Sequence, residues 1–289
     1  MKNLYTEKTI EKKRELEIID YYNQCTVDYK LVWHLNSEMC LHYGYWDTST
    51  SNLREAIRNM NIKLAEFGNI SANKKILDAG CGAGGSSIFL AQNYQAHVTG
   101  IALPELQIAA CKANAQKFGL EHVLHFDVQN YCCTTLPSQS FDFVWAIESV
   151  CHAEYKVRFL QEAFRLLKPG GTLIMADFFS NKNPSSWLQK MEKSWSIPSF
   201  ACTDYFKSEM EKIGFTDVKI EDKSDAVYPS VKRLYACYFP GMLISKTMEW
   251  LGLRTKRQTE NTRSCLYQYK AFKSGDWNYS FIRAQKPDA

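Results

Sequence analysis

The period of the apolar positions changes near residue 74, and that change divides the chain. Before it, Leu53, Ile57, Met60, Leu64 and Phe67 step by four and three, which puts them on one helix face. Residues 1–70 read as mostly helical, interrupted by the aromatic stretch Leu41-His42-Tyr43-Gly44-Tyr45-Trp46. From Lys74 short apolar runs alternate with helical stripes. Lys75–Ala79, His97–Ile101, His122–Phe126, Phe141–Ile147 and Thr172–Phe179 read as strands. Val157, Leu160, Phe164 and Leu167 form a helix stripe stopped by Pro169-Gly170-Gly171. Strands spaced in this way by helices imply a parallel sheet covered on both faces. After Asn181 the pattern loosens. Trp187 to Phe206 reads as helix broken at Pro198, and Met210 to Ile220 as helix, a turn at Gly214, then strand. Residues 225–272 are aromatic, basic and carry no clear period, and Trp277–Ala284 reads as a last strand.

The length, 289 residues, suits one α/β domain with an elaboration, or at most two small domains, and 45% hydrophobic residues can fill a core. Net charge is +4, from 35 basic and 31 acidic residues. That excess is too small and too scattered to argue for nucleic acid; Arg254, Lys256 and Arg257 come nearest to a cluster and read as a solvated face. The longest apolar run, Leu234 to Ile244, is far shorter than a membrane span and contains Pro240 and Gly241. It leaves two roles open, lying at a membrane surface or capping an apolar pocket. Met1 to Glu17 is charged throughout and reads as no secretory signal. The ten cysteines include no C-x-x-C pair, so reduced thiols in a cytoplasmic protein are expected, with no metal site.

Chemistry concentrates in Asp78-Ala79-Gly80-Cys81-Gly82-Ala83-Gly84-Gly85, after the first strand and at the opening of a helix. Glycines let the backbone turn sharply and a ligand come close. The helix N-terminus offers N–H groups and a positive field that suit a carboxylate or a phosphate. No Gly-Lys-Ser/Thr ending follows, which argues against a kinase or GTPase. Asp78, an acid before three glycines at alternate positions, can hold an ammonium group.

On these residues the chain resembles the class I S-adenosylmethionine-dependent methyltransferases over about residues 20–180. Ile76 to Gly84 and Leu-Leu-Lys-Pro-Gly-Gly-Thr-Leu at 166–173 carry the likeness, with Phe141-Asp142-Phe143-Val144 and Ala176-Asp177-Phe178 beside them. Tyr21-Tyr22, His42 to Trp46, and Ile147 to Ala153 narrow it to the branch of sterol and tocopherol C-methyltransferases and natural-product sugar O-methyltransferases.

The resemblance implies a Rossmann-like, mostly parallel seven-stranded α/β sheet with helices on both faces. It implies a helical segment over 1–70 that closes on the cofactor, a binding core over 71–180, and an acceptor cap inserted after the fifth strand that, with the sixth strand, spans 181–272. The last strand falls in 273–289. The implied cofactor is S-adenosyl-L-methionine. Its methionine end falls to Asp78, Gly80, Cys81, Gly82 and Gly84. Ile101 and Ala102 stand where an acid usually takes the ribose, so the ribose falls to Gln107. Asp127 and Val128 are expected at the adenine, Ile147 and Glu148 beside the sulfonium, and His42 and Trp46 folded over it.

His152 is the expected general base, because imidazole titrates near working pH, and Asp177 is expected to orient it or hold the acceptor. Glu148 has a second reading, steadying a carbocation left when an alkene is methylated or taking its proton. The acceptor is expected to be a small, largely apolar metabolite, with O-, N- and C-methylation all open, bound beneath the aromatics after the fifth strand. Two other readings compete: a nicotinamide-dependent oxidoreductase, weakened by the missing acid at the second strand, and a non-catalytic module that only binds the cofactor.

Overall fold

The computed structural model describes residues 2–33, 35–181 and 183–288. Three helices precede the sheet: α1 (Lys2–Val32), α2 (Leu35–Glu38) and α3 (Leu53–Gly68). The core alternates as β1 (Lys75–Ala79), α4 (Gly85–Tyr94), β2 (His97–Ala102), α5 (Glu105–Lys117), β3 (Leu124–Val128), β4 (Phe141–Ile147), α6 (Lys156–Leu166) and β5 (Leu167–Ser180). Then come α7 (Ser186–Ser194), α8 (Thr203–Ile213), β6 (Thr216–Asp222), α9 (Ser224–Trp250), α10 (Lys256–Lys273) and β7 (Trp277–Gln285). The strands lie in the order β3-β2-β1-β4-β5-β7-β6, with only β7 running against its neighbours.

The helices cover both faces because the central strands are apolar on both. Ile76, Val98, Phe143, Trp145 and Ile174 face one packed layer, and Leu77, Ile101, Val144, Leu173 and Met175 face the other. α3 shows how the N-terminal segment is fixed. The Asn52 side chain caps it by accepting from the Glu55 N–H, and Leu53, Ile57, Met60 and Leu64 bury its apolar face. Burying each such side chain stabilises the docked segment by roughly 1.5–3 kcal/mol.

Three elements differ from the sequence reading. β3 begins two residues later, so Asp127 and Val128 are its last residues and lie in the ladder opposite Ile101 and Ala102. β5 begins at Leu167, because a register shift between Phe141 and Phe143 absorbs Pro169-Gly170-Gly171 without ending the strand. Residues 225–272 form two long antiparallel helices. Pro229 and Pro240 lie inside α9, and prolines within a helix obscure it in sequence. The pair is tied by the stacked rings of Tyr235 and Tyr269, 4.1 Å apart. The helices outside the core are therefore inserted at two points: α7 and α8 follow β5, and the larger α9–α10 hairpin follows β6.

Candidate active site

The glycine loop is held from both sides. Asp78 ends up buried, and Ser87 Oγ donates to its Oδ2 at 2.6 Å. Burial pushes the Asp78 carboxyl up to about 6, the signature of a desolvated acid that lacks a cationic partner. The N–H groups of Gly80 and Cys81 both donate to the Ile101 carbonyl, which clamps the loop onto β2. Gly80 has φ +93°, and a Cβ there would lie 2.4 Å from Ser149 Cβ. The helix N-terminus is less open than expected from sequence. The Gly85 N–H donates to the Met39 carbonyl, so the N-terminal segment caps part of α4.

A cleft runs along this loop. Asp78, Gly80, Cys81, Gly82, Gln107, Ile147, Glu148, His42 and His152 line it, so nine of the expected site residues come together here. Tyr22, Leu103, Pro104, Tyr131, Ser86 and Ser149 line it too and were not foreseen as site residues. Their types give no sign alone; only the loops that follow the strands bring them together. A buried acid short of a cation, a glycine bend and a cleft ending at Glu148 fit an ammonium-bearing sulfonium nucleoside.

Four residues expected at the cofactor are not among those that line the cleft. Gly84, φ +88°, is absent from the cleft wall and backs the loop against Cys111. Trp46 is turned away from the cleft, and its Nε1–H donates to Ser230 Oγ on α9, so it ties the N-terminal segment to the cap. Asp127 and Val128 are exposed and absent from the wall. The Val128 N–H, expected at an adenine nitrogen, donates to Asp127 Oδ1 at 2.9 Å, and Gln129 donates to Oδ2.

A second, larger chamber lies under α1, α9 and α10. Its walls include Tyr21, Tyr29, Trp33, Tyr43, Phe178, Trp195, Ile197 and Leu234, and an Asp28–Arg254 ion pair at 2.8 Å supplies a polar spot. Tyr22, Leu41, Glu148 and His152 line both cavities and so mark where they meet.

Glu148 has φ +49°, a left-handed backbone rare outside glycine and costing about 1–3 kcal/mol. Its N–H donates to the Ala176 carbonyl, while the Tyr43 N–H and the Tyr279 hydroxyl both donate to Oε1 at 2.8 Å. Those donors favour the carboxylate, yet burial outweighs them and pushes Glu148 up to about 8.

The expectation that His152 titrates near working pH is overturned. Burial, with Arg14 and Lys156 nearby, lowers it to about 3. Its Nδ1 lies 3.3 Å from the Ser196 carbonyl, which requires the proton there, so Nε2 accepts from the Tyr22 hydroxyl at 3.0 Å. Asp177 does not orient it. Asp177 Oδ2 accepts from the Cys151 N–H and Oδ1 from the Phe178 N–H, and the residue lines neither cavity. Lys156 instead fixes the turn at His152, its Nζ donating to the carbonyls of Cys151 and Ala153. His42 is likewise neutral, lowered to about 4 by burial, with Nδ1 on the Tyr43 carbonyl and Nε2 near Asn61.

A family profile described as a methyltransferase domain matches residues 77–175, the stretch from the glycine loop to β5. Methyltransferase GfsG of Streptomyces halstedii is 30% identical over 220 residues, covering 74% of this chain and 78% of that one. The chain belongs to the class I S-adenosylmethionine-dependent methyltransferases. The chloroplastic tocopherol O-methyltransferase of Arabidopsis thaliana is 26% identical to this methyltransferase over 298 residues, covering 93% of this chain and 82% of its own. Among solved structures, a putative sarcosine dimethylglycine methyltransferase from Galdieria sulphuraria shares the fold of the enzyme at TM-score 0.77 and 18% identity, over 91% of this chain and 97% of its own. The enzyme therefore uses S-adenosyl-L-methionine. No helix among the described residues is long and apolar enough to cross a membrane.

Proposed function

We propose that the enzyme methylates a largely apolar metabolite of prenylated-phenol or related isoprenoid character, with Glu148 receiving the proton that leaves the acceptor. The observation that carries this reading is the aromatic-walled chamber that meets the cofactor cleft at Glu148 and His152. The full-length likeness to a protein named for tocopherol, itself a prenylated phenol, points the same way.

When bound, the cofactor supplies an electrophilic methyl group on sulfur. Asp78 would hold its ammonium group, Gly80 and Gly82 would admit its backbone-like end, and Gln107 would take the ribose. The chain's own work is to align the acceptor, exclude water and take the proton. As the acceptor atom bonds to the methyl carbon, the carbon–sulfur bond breaks and a proton must leave the acceptor. Of the two groups at the junction, Glu148 near 8 is a far stronger base than His152 near 3. His152 Nε2, as a neutral acceptor, then orients a hydroxyl of the acceptor molecule other than the atom that loses its proton to Glu148, and that hydroxyl takes the place of the Tyr22 hydroxyl.

The division of labour assigned here is an N-terminal segment, 1–70, that closes on the cofactor, a binding core over 71–180, and a cap over 181–272. The ten cysteines are all free, in keeping with work in the reducing cytoplasm. The test is incubation with labelled S-adenosylmethionine and a panel of prenylated phenols, terpenoids, sterols, alkaloids and deoxysugar glycosides. Label entering a prenylated phenol supports the reading. Transfer only to polar glycosides or amines would refute it.

A further inference from the structure

We propose that the α9–α10 hairpin, together with the end of α1, is a docking surface for an anionic lipid bilayer, from which the apolar acceptor enters the chamber. Six of the fifteen strongly exposed large hydrophobics among the described residues lie in one short span: Phe239, Leu243, Ile244, Trp250, Leu251 and Leu253. Phe239, Leu243 and Trp250 recur at helical spacing, and Ile244 and Leu251 run beside them, so they form one stripe. Trp250 is 83% exposed and Leu243 73%, values that mark an uncovered patch.

The patch is continuous with the chamber. Leu31 and Ile244 are exposed at the surface and also line the chamber wall, so the chamber opens onto this face. An apolar acceptor leaving a bilayer here would pass from lipid to aromatic wall without crossing water.

Charge identifies what covers the patch. Residues 224–273 carry nine Lys and Arg against three Asp and Glu, a surplus of six; Arg254 and Arg257 pair with Asp28 and Asp20 of α1, which leaves a surplus of four on the hairpin. The whole chain has only +4, so the rest of the molecule is net negative. The basic excess is concentrated on the hairpin, not scattered as its sequence spacing suggests. A second copy of the chain seated here would set two such surfaces face to face, and like charge opposes that. An anionic membrane complements both the charge and the apolar stripe. No described helix is long and apolar enough to span, so the hairpin lies on the surface with its stripe among the headgroups.

The route for the acceptor rests on the proposed function; the docking does not, and the experiment separates them. The full enzyme is sedimented with vesicles of phosphatidylcholine alone and of phosphatidylcholine with phosphatidylglycerol. The comparison variant is L243E/W250E/L253E, whose three positions lie outside both cavity walls. Wild type is expected to pellet with the anionic vesicles, to be released by about 0.5 M NaCl, and to bind at least ~10-fold more tightly than the variant. Tm and affinity for S-adenosylhomocysteine should match between the two proteins.

Docking is overturned if wild type stays in the supernatant with anionic vesicles or if the variant pellets equally well. It is also overturned if ultracentrifugation shows a dimer that the variant dissolves and vesicles do not displace. Turnover of a prenylated phenol carried in vesicles should fall ~10-fold in the variant, and turnover of the same compound in detergent should not. Should no prenylated phenol be methylated, the acceptor reading fails while the sedimentation result still decides the docking.

Discussion

Glu148 is the residue on which the proposed chemistry turns, because its environment opposes itself. Two donors on Oε1 favour the charged form, and burial favours the neutral one and wins. Glu148→Gln keeps the shape and removes the base, so kcat is expected to fall ~10²-fold or more while S-adenosylhomocysteine still binds. In the free enzyme kcat/KM should rise with pH toward about 8, and that limb should vanish in Glu148→Gln. Stability carries the opposite sign. A carboxyl whose folded pKa is raised holds its proton longer when folded, so stability is lost as pH rises from the ordinary carboxylate range through about 8. Thermal melts of the apo enzyme should therefore decline across that window, and Glu148→Gln should decline less. His152, lowered to about 3, acts at the other end: its contribution is lost as pH falls below about 6.5. Melts of His152→Gln should keep more of their stability at pH 5 than wild type; equal acid losses would show that the imidazole is not the buried neutral group described.

Asp78 and its glycine bend were legible in sequence because a turn of this kind is local: an acid, alternating glycines and a following helix all lie within eight residues. Glu148 and His152 were also placed correctly at the carboxyl edge of β4, since strand ends are readable from apolar runs. Their states were not, because burial depends on elements more than a hundred residues away, such as Tyr22 of α1 and Tyr279 of β7. Asp177 failed as an orienting partner for a different reason: its two N–H donors come from the backbone, which residue type does not reveal. α9 went unassigned because prolines and a run apolar on every side erase the helical period, and α10 because its buried face is mostly polar, at Thr259, Asn261, Ser264 and Gln268. The contact between α2 and α4 is the element-level test. A Cβ on Gly85 would lie 2.4 Å from Cys40 Sγ and 2.6 Å from the Glu38 carbonyl oxygen. Gly85→Ala should push the N-terminal segment off the loop, costing about 1–3 kcal/mol in a denaturant titration. An unchanged midpoint would mean that the segment is not seated on α4 as described.

Across the molecule, two cavities built by different parts of the chain share one wall. The strand-end loops, with Ile18, Tyr22 and Met39 to His42 of the N-terminal segment, line the proposed cofactor cleft, and α1 with the α9–α10 hairpin, Phe178 and Trp195 lines the proposed acceptor chamber. Among the described residues only Tyr22, Leu41, Glu148 and His152 belong to both, so the proposed function gives the methyl group one place to cross. The structure of the enzyme with bound S-adenosylhomocysteine tests this most directly. The amino group should rest on Asp78 and the sulfur should face Glu148 at the mouth of the aromatic chamber. Density that leaves the glycine bend empty at saturating ligand, or that turns the sulfur away from Glu148, would contradict the account.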